Sequence, residues 1–308
     1  MMARAVVFAY HNVGVRCLEV LLAHGVEISL VVTHEDNPNE AIWFDSVAQL
    51  ASLHDIPVIK PTDPNTDDVL HQIKAAQPDW LFSFYYRHML KAPLLTVAPR
   101  GAYNMHGSLL PKYRGRVPVN WAIIHGEIET GATLHVMNEK PDNGAIIDQQ
   151  SVPILPNDTA QQVFEKVTTA AELTLYRCLP ALLAGTAQRF PQDLSQGGYF
   201  GGRKAEDGRI DWAQPAIVIH NLVRAVAPPY PGAHTCIAGQ PARILRTLVV
   251  SQHLVTTAMP TLYMQDNKLF ANCGDGSILR IVELELAGTP LDAAGFMQRF
   301  GHTPQTLA

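Results

Sequence analysis

Cysteine is scarce in this chain and widely scattered. Its four cysteines are Cys17, Cys178, Cys236 and Cys273, which neither form a close-set zinc pair nor supply a disulfide framework. No stretch approaches the ~20 uninterrupted apolar residues of a membrane-spanning helix. The opening MMARAVVFAY lacks the apolar run of a secretory signal, so cytoplasm is the expected location. Cationic excess is missing too. The formal net charge is -5, which gives no broad attraction for nucleic acid or an anionic membrane, and neither partner is expected. The first apolar run is followed by the lone Gly14 and no G-x-G-x-x-G, which argues against a nicotinamide cofactor. Gly107–Leu109 reads GSL, without the G-x-S-x-G of a serine hydrolase elbow, and no H-E-x-x-H occurs, so no metal is expected.

What is present is a large apolar share, 47% of 308 residues, enough for about two domains with real cores. Strands are predicted at Ala5–Tyr10, Ile28–Thr33, Ile56–Lys60, Asp79–Phe84 and Gly101–His106. Helical patterns separate them, one through Val15, Leu18, Leu21 and Leu22 up to Gly25, another at Val69–Ala76. This alternation predicts an α/β fold, a Rossmann-like, mostly parallel sheet with helices on both faces and ligands at the carboxyl ends of its strands. A helix opening with proline follows at Pro118–Gly126, then strands at Gly131–Met137 and Ile146–Ile154. Asp158 is the expected N-cap of a long helix, Gln161 its capping-box partner, and Pro180 its break. Five glycines in a polar background mark a linker at 190–210, separating a domain at 1–189 from one at 211–308. In the latter, a helix at Pro215–Ala225 precedes short β-like runs at Thr235–Ala238, Ala242–Val250, Lys268–Asn272 and Ile278–Leu286. These predict a small β-rich open barrel of OB-like type. From Asp211 onward six cations (Arg224, Arg243, Arg246, Lys268, Arg280, Arg299) meet six anions (Asp211, Asp266, Asp275, Glu283, Glu285, Asp292), unlike a nucleic-acid clamp.

The chemistry concentrates in Gly101–Gly115, GAYNMHGSLLPKYRG. Asn104 and His106 are two apart on one strand and therefore share a face. A shaped loop with Gly107, Ser108, Pro111, Lys112 and Arg114 follows. Asp142, in the turn NEKPDNG, is the nearest carboxylate candidate to serve them. Among thirteen histidines, His11, His24, His54 and His220 read as ordinary hydrogen-bonded side chains. In FSFYYRHML, Tyr85, Tyr86, Arg87 and His88 either line a pocket for a ring-bearing ligand or cap the sheet. Glu35–Asp55 carries Glu35, Asp36, Glu40, Asp45 and Asp55 with no lysine or arginine, and supplies no phosphate contact.

NMHGSLLPKYRG and the later PDNGAII resemble the signature of the folate-dependent formyltransferases, with Asn104, His106 and Asp142 at the matching positions. The pieces VVFAYHNVG, THEDNPNE, FSFYYRHML and NMHGSLLPKYRGRVPVNWAIIHGE are most similar to the branch that formylates UDP-4-amino-4-deoxy-L-arabinose, an amino sugar used to modify bacterial lipid A. KAEDGRIDW resembles the methionyl-tRNA branch instead. The resemblance implies a formyl group carried from 10-formyltetrahydrofolate, a co-substrate used without metal, to the amine of a sugar nucleotide. It implies catalysis by Asn104, His106 and Asp142, and a folate site at His88, Met89 and Leu90 with Asn138, Glu139, Lys140, Pro141 and Asp142. Acceptor contacts would come from Tyr10, Ser108, Arg114 and Arg116. A sugar nucleotide and a reduced folate are thus the expected partners, and a homo-oligomer is compatible with the resemblance. Formylation of methionyl-tRNA, formylation of another UDP- or dTDP-amino sugar, and hydrolysis of the formyl folate are the alternative activities.

Overall fold

A computed structural model describes residues 3–38, 41–251 and 259–308. Two compact units divide the chain. The first comprises Met1–Pro118, Glu129–Pro153 and Glu165–Gly201. Its strands are β1 (Arg4–Ala9), β2 (Glu27–Val32), β3 (Val58–Ile59), β4 (Trp80–Phe84), β5 (Ala102–His106), the two-residue β6 (Arg114–Gly115), β7 (Glu129–Val136), β8 (Ile146–Pro153) and β9 (Tyr199–Phe200). Seven of them form one sheet in the order β3-β2-β1-β4-β5-β7-β8, while β6 and β9 pair separately. β1 through β5 run parallel, and β7 and β8 are antiparallel additions.

The parallel strands are mostly apolar because both faces are covered. On one face Val6, Phe8, Leu30, Val32 and Leu81 form a core cluster with Val69, Ile73 and Leu94. The last three belong to α3 (Asp67–Ala75) and α4 (Ala92–Leu95), which follow α1 (His11–Ala23) and α2 (Val47–Leu53) in the chain. Each fully buried Leu, Val or Phe contributes about 1.5–3 kcal/mol relative to an exposed one. α1 packs against β1, β2 and β4. Its Leu18 and Leu21 are fully buried, and Gly25 turns the chain at φ 70° directly after it. The strand order reverses at β1, with β2 on one side and β4 on the other, which opens a crevice above their carboxyl ends.

Two local expectations are corrected. The helix after β8 starts at Ala160, and Thr159 forms the capping box with Gln162, whose N–H it accepts at 3.3 Å while donating its own at 2.9 Å. Asp158 instead accepts the Leu155 N–H. Nor does Pro180 break this helix, which is α6 (Ala160–Ala184), following α5 (Pro118–Ile124). Pro180 and Tyr176, whose carbonyl loses its helical donor, are both exposed, which suits a proline inside a helix. Part of the expected linker is structured, since β9 pairs with β6.

The second unit comprises Val119–Ile128, Ile154–Phe164 and Gly202–Ala308. After α7 (Ala216–Val226) come β10 (Ala233–Ile237), β11 (Gln240–Ser251), β12 (Thr261–Gln265), β13 (Lys268–Asn272), β14 (Ile278–Leu286), β15 (Thr289–Pro290), α8 (Ala293–Phe300) and β16 (Gln305–Thr306). The sheet order is β10-β11-β14-β13-β12-β16, and a bridge from Leu307 to Ile237 brings its two ends together. The open barrel is therefore nearly closed. Buried polar bonds hold the two early segments in this unit. Asn120 donates to the Ala225 carbonyl at 2.7 Å, and Arg224 donates to those of Leu155 and Asp158. His220 is satisfied between Thr247 Oγ1 at 2.8 Å and the Pro156 carbonyl at 2.9 Å. No described helix is long and apolar enough to cross a membrane.

Candidate active site

β5 ends in Asn104-Met105-His106, with Met105 buried. β7 pairs antiparallel with it and sets His135 directly opposite Asn104. The β7–β8 turn then returns Asp142, at φ 55°, to the same place. Asp142 Oδ1 lies 3.5 Å from His106 Nδ1 and 3.4 Å from His135 Nε2, and Oδ2 accepts the Gly115 N–H at 2.8 Å. Burial pushes the Asp142 carboxyl up, but His106, His135 and the Gly115 amide together outweigh burial and hold it far below the ordinary carboxylate range. Asp142 is thus a largely buried, compensated anion.

The ring orientations follow from their other bonds. His106 Nε2 lies 2.8 Å from the Tyr113 carbonyl, so it carries a hydrogen and leaves Nδ1 toward Asp142. Tyr113 adopts φ 54°, a left-handed backbone that costs a non-glycine residue about 1–3 kcal/mol. His135 Nδ1 meets the Val136 carbonyl at 2.9 Å, and Asn104 Nδ2 sits 3.2 Å from its Nε2. Asn104, His135, Asp142 and His106 therefore form one connected polar centre. His135 was not anticipated from the sequence. Its signal was its place in a predicted strand, but only the β5–β7 register puts it opposite Asn104.

The remaining expected residues separate into groups. His88 and Met89 are exposed after β4, while Leu90 is buried in the core cluster that Met137 also packs against. The segments 88–90 and 138–142 are thereby brought to one side of the sheet. Asn138, Glu139 and Lys140 are exposed, Pro141 is half-buried, and Asn138 closes its own turn on the Lys140 N–H. Ser108 is fully buried, and its hydroxyl donates to the Lys112 carbonyl at 2.6 Å, which shapes the loop. Arg114 donates to Asn143 Oδ1 at 2.9 Å and to the carbonyls of Leu194 and Gly197, tying β6 in place. Arg116 is exposed. Tyr10 is buried, donates to Asp36 at 2.8 Å, and lies under the Arg87 guanidinium at 4.7 Å. His34 stacks on Tyr86 at 4.1 Å and accepts the Arg87 N–H at 3.0 Å. Burial, together with the charges of His88 and Arg87, pushes His34 down to about 4, which keeps it the neutral acceptor this bond needs.

Residues 13–179 match the formyl transferase profile, and residues 203–301 match that of the formyl transferase C-terminal domain. The chain belongs to the formyltransferase family. Formyl transfer is its reaction class. Among solved structures it is similar to an N-formyltransferase from Helicobacter canadensis in complex with folinic acid and dTDP-3-aminofucose. The identity is 21%, covering 91% of this chain and 99% of that one, with a TM-score of 0.70. A sugar N-formyltransferase from Shewanella sp. is 22% identical over 83% of this chain and 100% of its own, with a TM-score of 0.63. HypX from Aquifex aeolicus, in complex with tetrahydrofolic acid, is 17% identical over 97% of this chain and 48% of its own, with a TM-score of 0.62. These likenesses are of fold.

In this formyltransferase the turn that carries Asp142 depends on Gly144. A Cβ there would lie 1.7 Å from the Val136 carbonyl oxygen. Gly144→Ala is expected to destabilise the first unit by about 3 kcal/mol and to lower turnover by displacing Asp142. Thermal unfolding and steady-state rates equal to those of the wild type would refute that dependence. Hollows lie elsewhere among the described residues. One of about 570 Å³ is lined by Glu35, Asp55 and Lys60, and one of about 610 Å³ by Arg209, His234 and Arg243. Neither includes Asn104, His106 or Asp142, so the polar geometry marks the centre. Among the described residues no group of three or more His, Cys, Asp or Glu side chains is arranged to hold a metal ion.

Proposed function

We propose that this enzyme transfers the formyl group of 10-formyltetrahydrofolate to the amine of a nucleotide-linked amino sugar, with UDP-4-amino-4-deoxy-L-arabinose as the acceptor. The observation that carries the reading is the convergence of Asn104, His106 and Asp142 at the carboxyl end of β5. The acceptor amine attacks the formyl carbon and the carbonyl electron pair moves to oxygen. Asn104, which has a second amide hydrogen beyond the one facing His135, donates to that oxygen without titrating. His106 takes the proton shed by the ammonium at Nδ1, and the imidazolium so formed lies beside the Asp142 carboxylate. As the carbon–nitrogen bond to the folate breaks, the proton passes to the departing folate nitrogen. The products are the formamido sugar and tetrahydrofolate.

Support for a small acceptor over tRNA is electrostatic. Glu35, Asp36 and Asp45 keep the first unit acidic after β2, with Glu40 outside the described residues. In the second unit Arg243 pairs with Glu285, Arg246 with Glu283, and Arg224 is buried. A duplex contacted through many phosphates needs a cationic surface, whereas one diphosphate needs one or two arginines, a role assigned here to Arg116. Homologous fold partners bind folinic acid with a dTDP-amino sugar, or tetrahydrofolic acid, which favours the same pair of substrates. The test compares kcat/KM for UDP- and dTDP-amino sugars and for charged initiator tRNA, with the formyl donor held constant. Highest efficiency with the UDP-4-amino sugar is expected. A dTDP sugar ahead of it would move the assignment to that nucleotide, and turnover of tRNA alone would overturn it.

A further inference from the structure

Three parallel strands end side by side at the crevice where the sheet order reverses. β1 and β4 are in register to Ala9–Phe84, and β4 and β5 to Phe84–Met105. One step further along, Tyr10, Tyr85 and His106 make a row across the three strand ends. The Tyr10 N–H bonds the Phe84 carbonyl at 3.1 Å and fixes the first step of that row. Tyr85 stands at its centre with φ 58°, a left-handed backbone that a bulky residue adopts only at a cost. Its phenol reaches the catalytic strand. A Cβ at Gly107, the residue after His106, would lie 2.3 Å from the Tyr85 hydroxyl oxygen. Glycine at 107 thus leaves the space that the phenol fills. The Tyr85 ring lies 6.3 Å from that of His11, which itself stacks on Phe44 at 3.9 Å and meets Trp43 edge-on. Tyr86, by contrast, packs between Phe8 and His34. Adjacent tyrosines therefore do different work.

We infer that Tyr85 is an acceptor-positioning residue, its phenol oxygen receiving an N–H of the incoming amine beside His106 so that the nitrogen lone pair faces the formyl carbon. This rests on the formyl-transfer reading above. A phenol oxygen at that place accepts one hydrogen bond, whereas the ring edge orders the approach from the aromatic side of the crevice. The experiment uses the full-length enzyme and Tyr85→Phe, which keeps the ring, the backbone conformation and the fit against Gly107. With the best amino-sugar nucleotide, kcat/KM for the acceptor is expected to fall on the order of tenfold or more. The KM for the formyl folate and the rate of formate release without acceptor should stay within about twofold of the wild type. Tyr85→Leu, lacking the ring edge, should be at least as impaired toward the acceptor, with thermal unfolding checking that it folds. Unchanged acceptor kcat/KM in Tyr85→Phe, or a defect confined to the folate KM, overturns the assignment. A wild type that turns over no sugar nucleotide would instead overturn the acceptor reading, which keeps the two failures distinct.

Discussion

Asn104→Ala is expected to fold like the wild type and to lose about 10²–10³ in kcat, the cost of removing one donor aimed at a developing oxyanion. Asn104 is half-buried at the end of β5, and among the described residues its side chain meets His135 Nε2 at 3.2 Å. Truncation therefore takes little from the core. His106→Ala should cost at least as much, because it removes the proton acceptor and leaves Asp142 with a single imidazole beside it. Circular dichroism and thermal unfolding would establish that both variants fold, and single-turnover rates would give the chemical step. A folded Asn104→Ala enzyme with wild-type turnover refutes its role as oxygen donor.

The second large effect is expected from Asp142→Asn. The amide keeps the shape of the side chain and can still meet the Gly115 amide through its carbonyl, but it removes the charge facing His106. The drop in kcat is placed at about 10²–10⁴, the range of general acid–base contributions, with an altered pH–rate profile. Stability gives an independent reading of the same charge. The folded-state pKa of Asp142 is depressed below the ordinary 3.8. Its stabilisation is therefore fully present above that value and is lost as pH falls through the folded-state value. The difference in melting temperature between wild type and Asp142→Asn should accordingly be constant near neutrality and shrink as the solution is acidified below about pH 3.8. A difference independent of pH, together with full activity, would reduce Asp142 to a turn residue.

How much of this was legible in the sequence depends on how far apart the partners lie. Alternation along one strand sufficed to put Asn104 and His106 on one face, and continuous apolar runs such as AVVFA sufficed for the parallel core. His135 was invisible because its meaning comes from an antiparallel register to β5, set by a strand some thirty residues away. The resemblance named Ser108 as an acceptor contact, and nothing in the sequence showed its role inside the loop. The loop's own carbonyls at Lys112 and Tyr113 needed donors, and Ser108 and His106 supply them. Arg114 likewise serves the loop, since its guanidinium donates to the carbonyls of Leu194 and Gly197, partners that lie some eighty residues away in the sequence. The assignment of residues 119–128 and 154–164 to the second unit rests on buried bonds to Ala225, His220 and Arg224. Such bonds leave no periodic trace in the sequence.

The most direct measurement follows the formyl carbon itself. Purified enzyme would be given formyl folate carrying an isotopically labelled formyl carbon together with the UDP-4-amino sugar, and the products read by NMR and mass spectrometry. The account predicts the label in a formamide on the sugar nitrogen, formed by the wild type and lost from Asn104→Ala and His106→Ala. Label recovered only as free formate, with no formamido sugar formed, would contradict it.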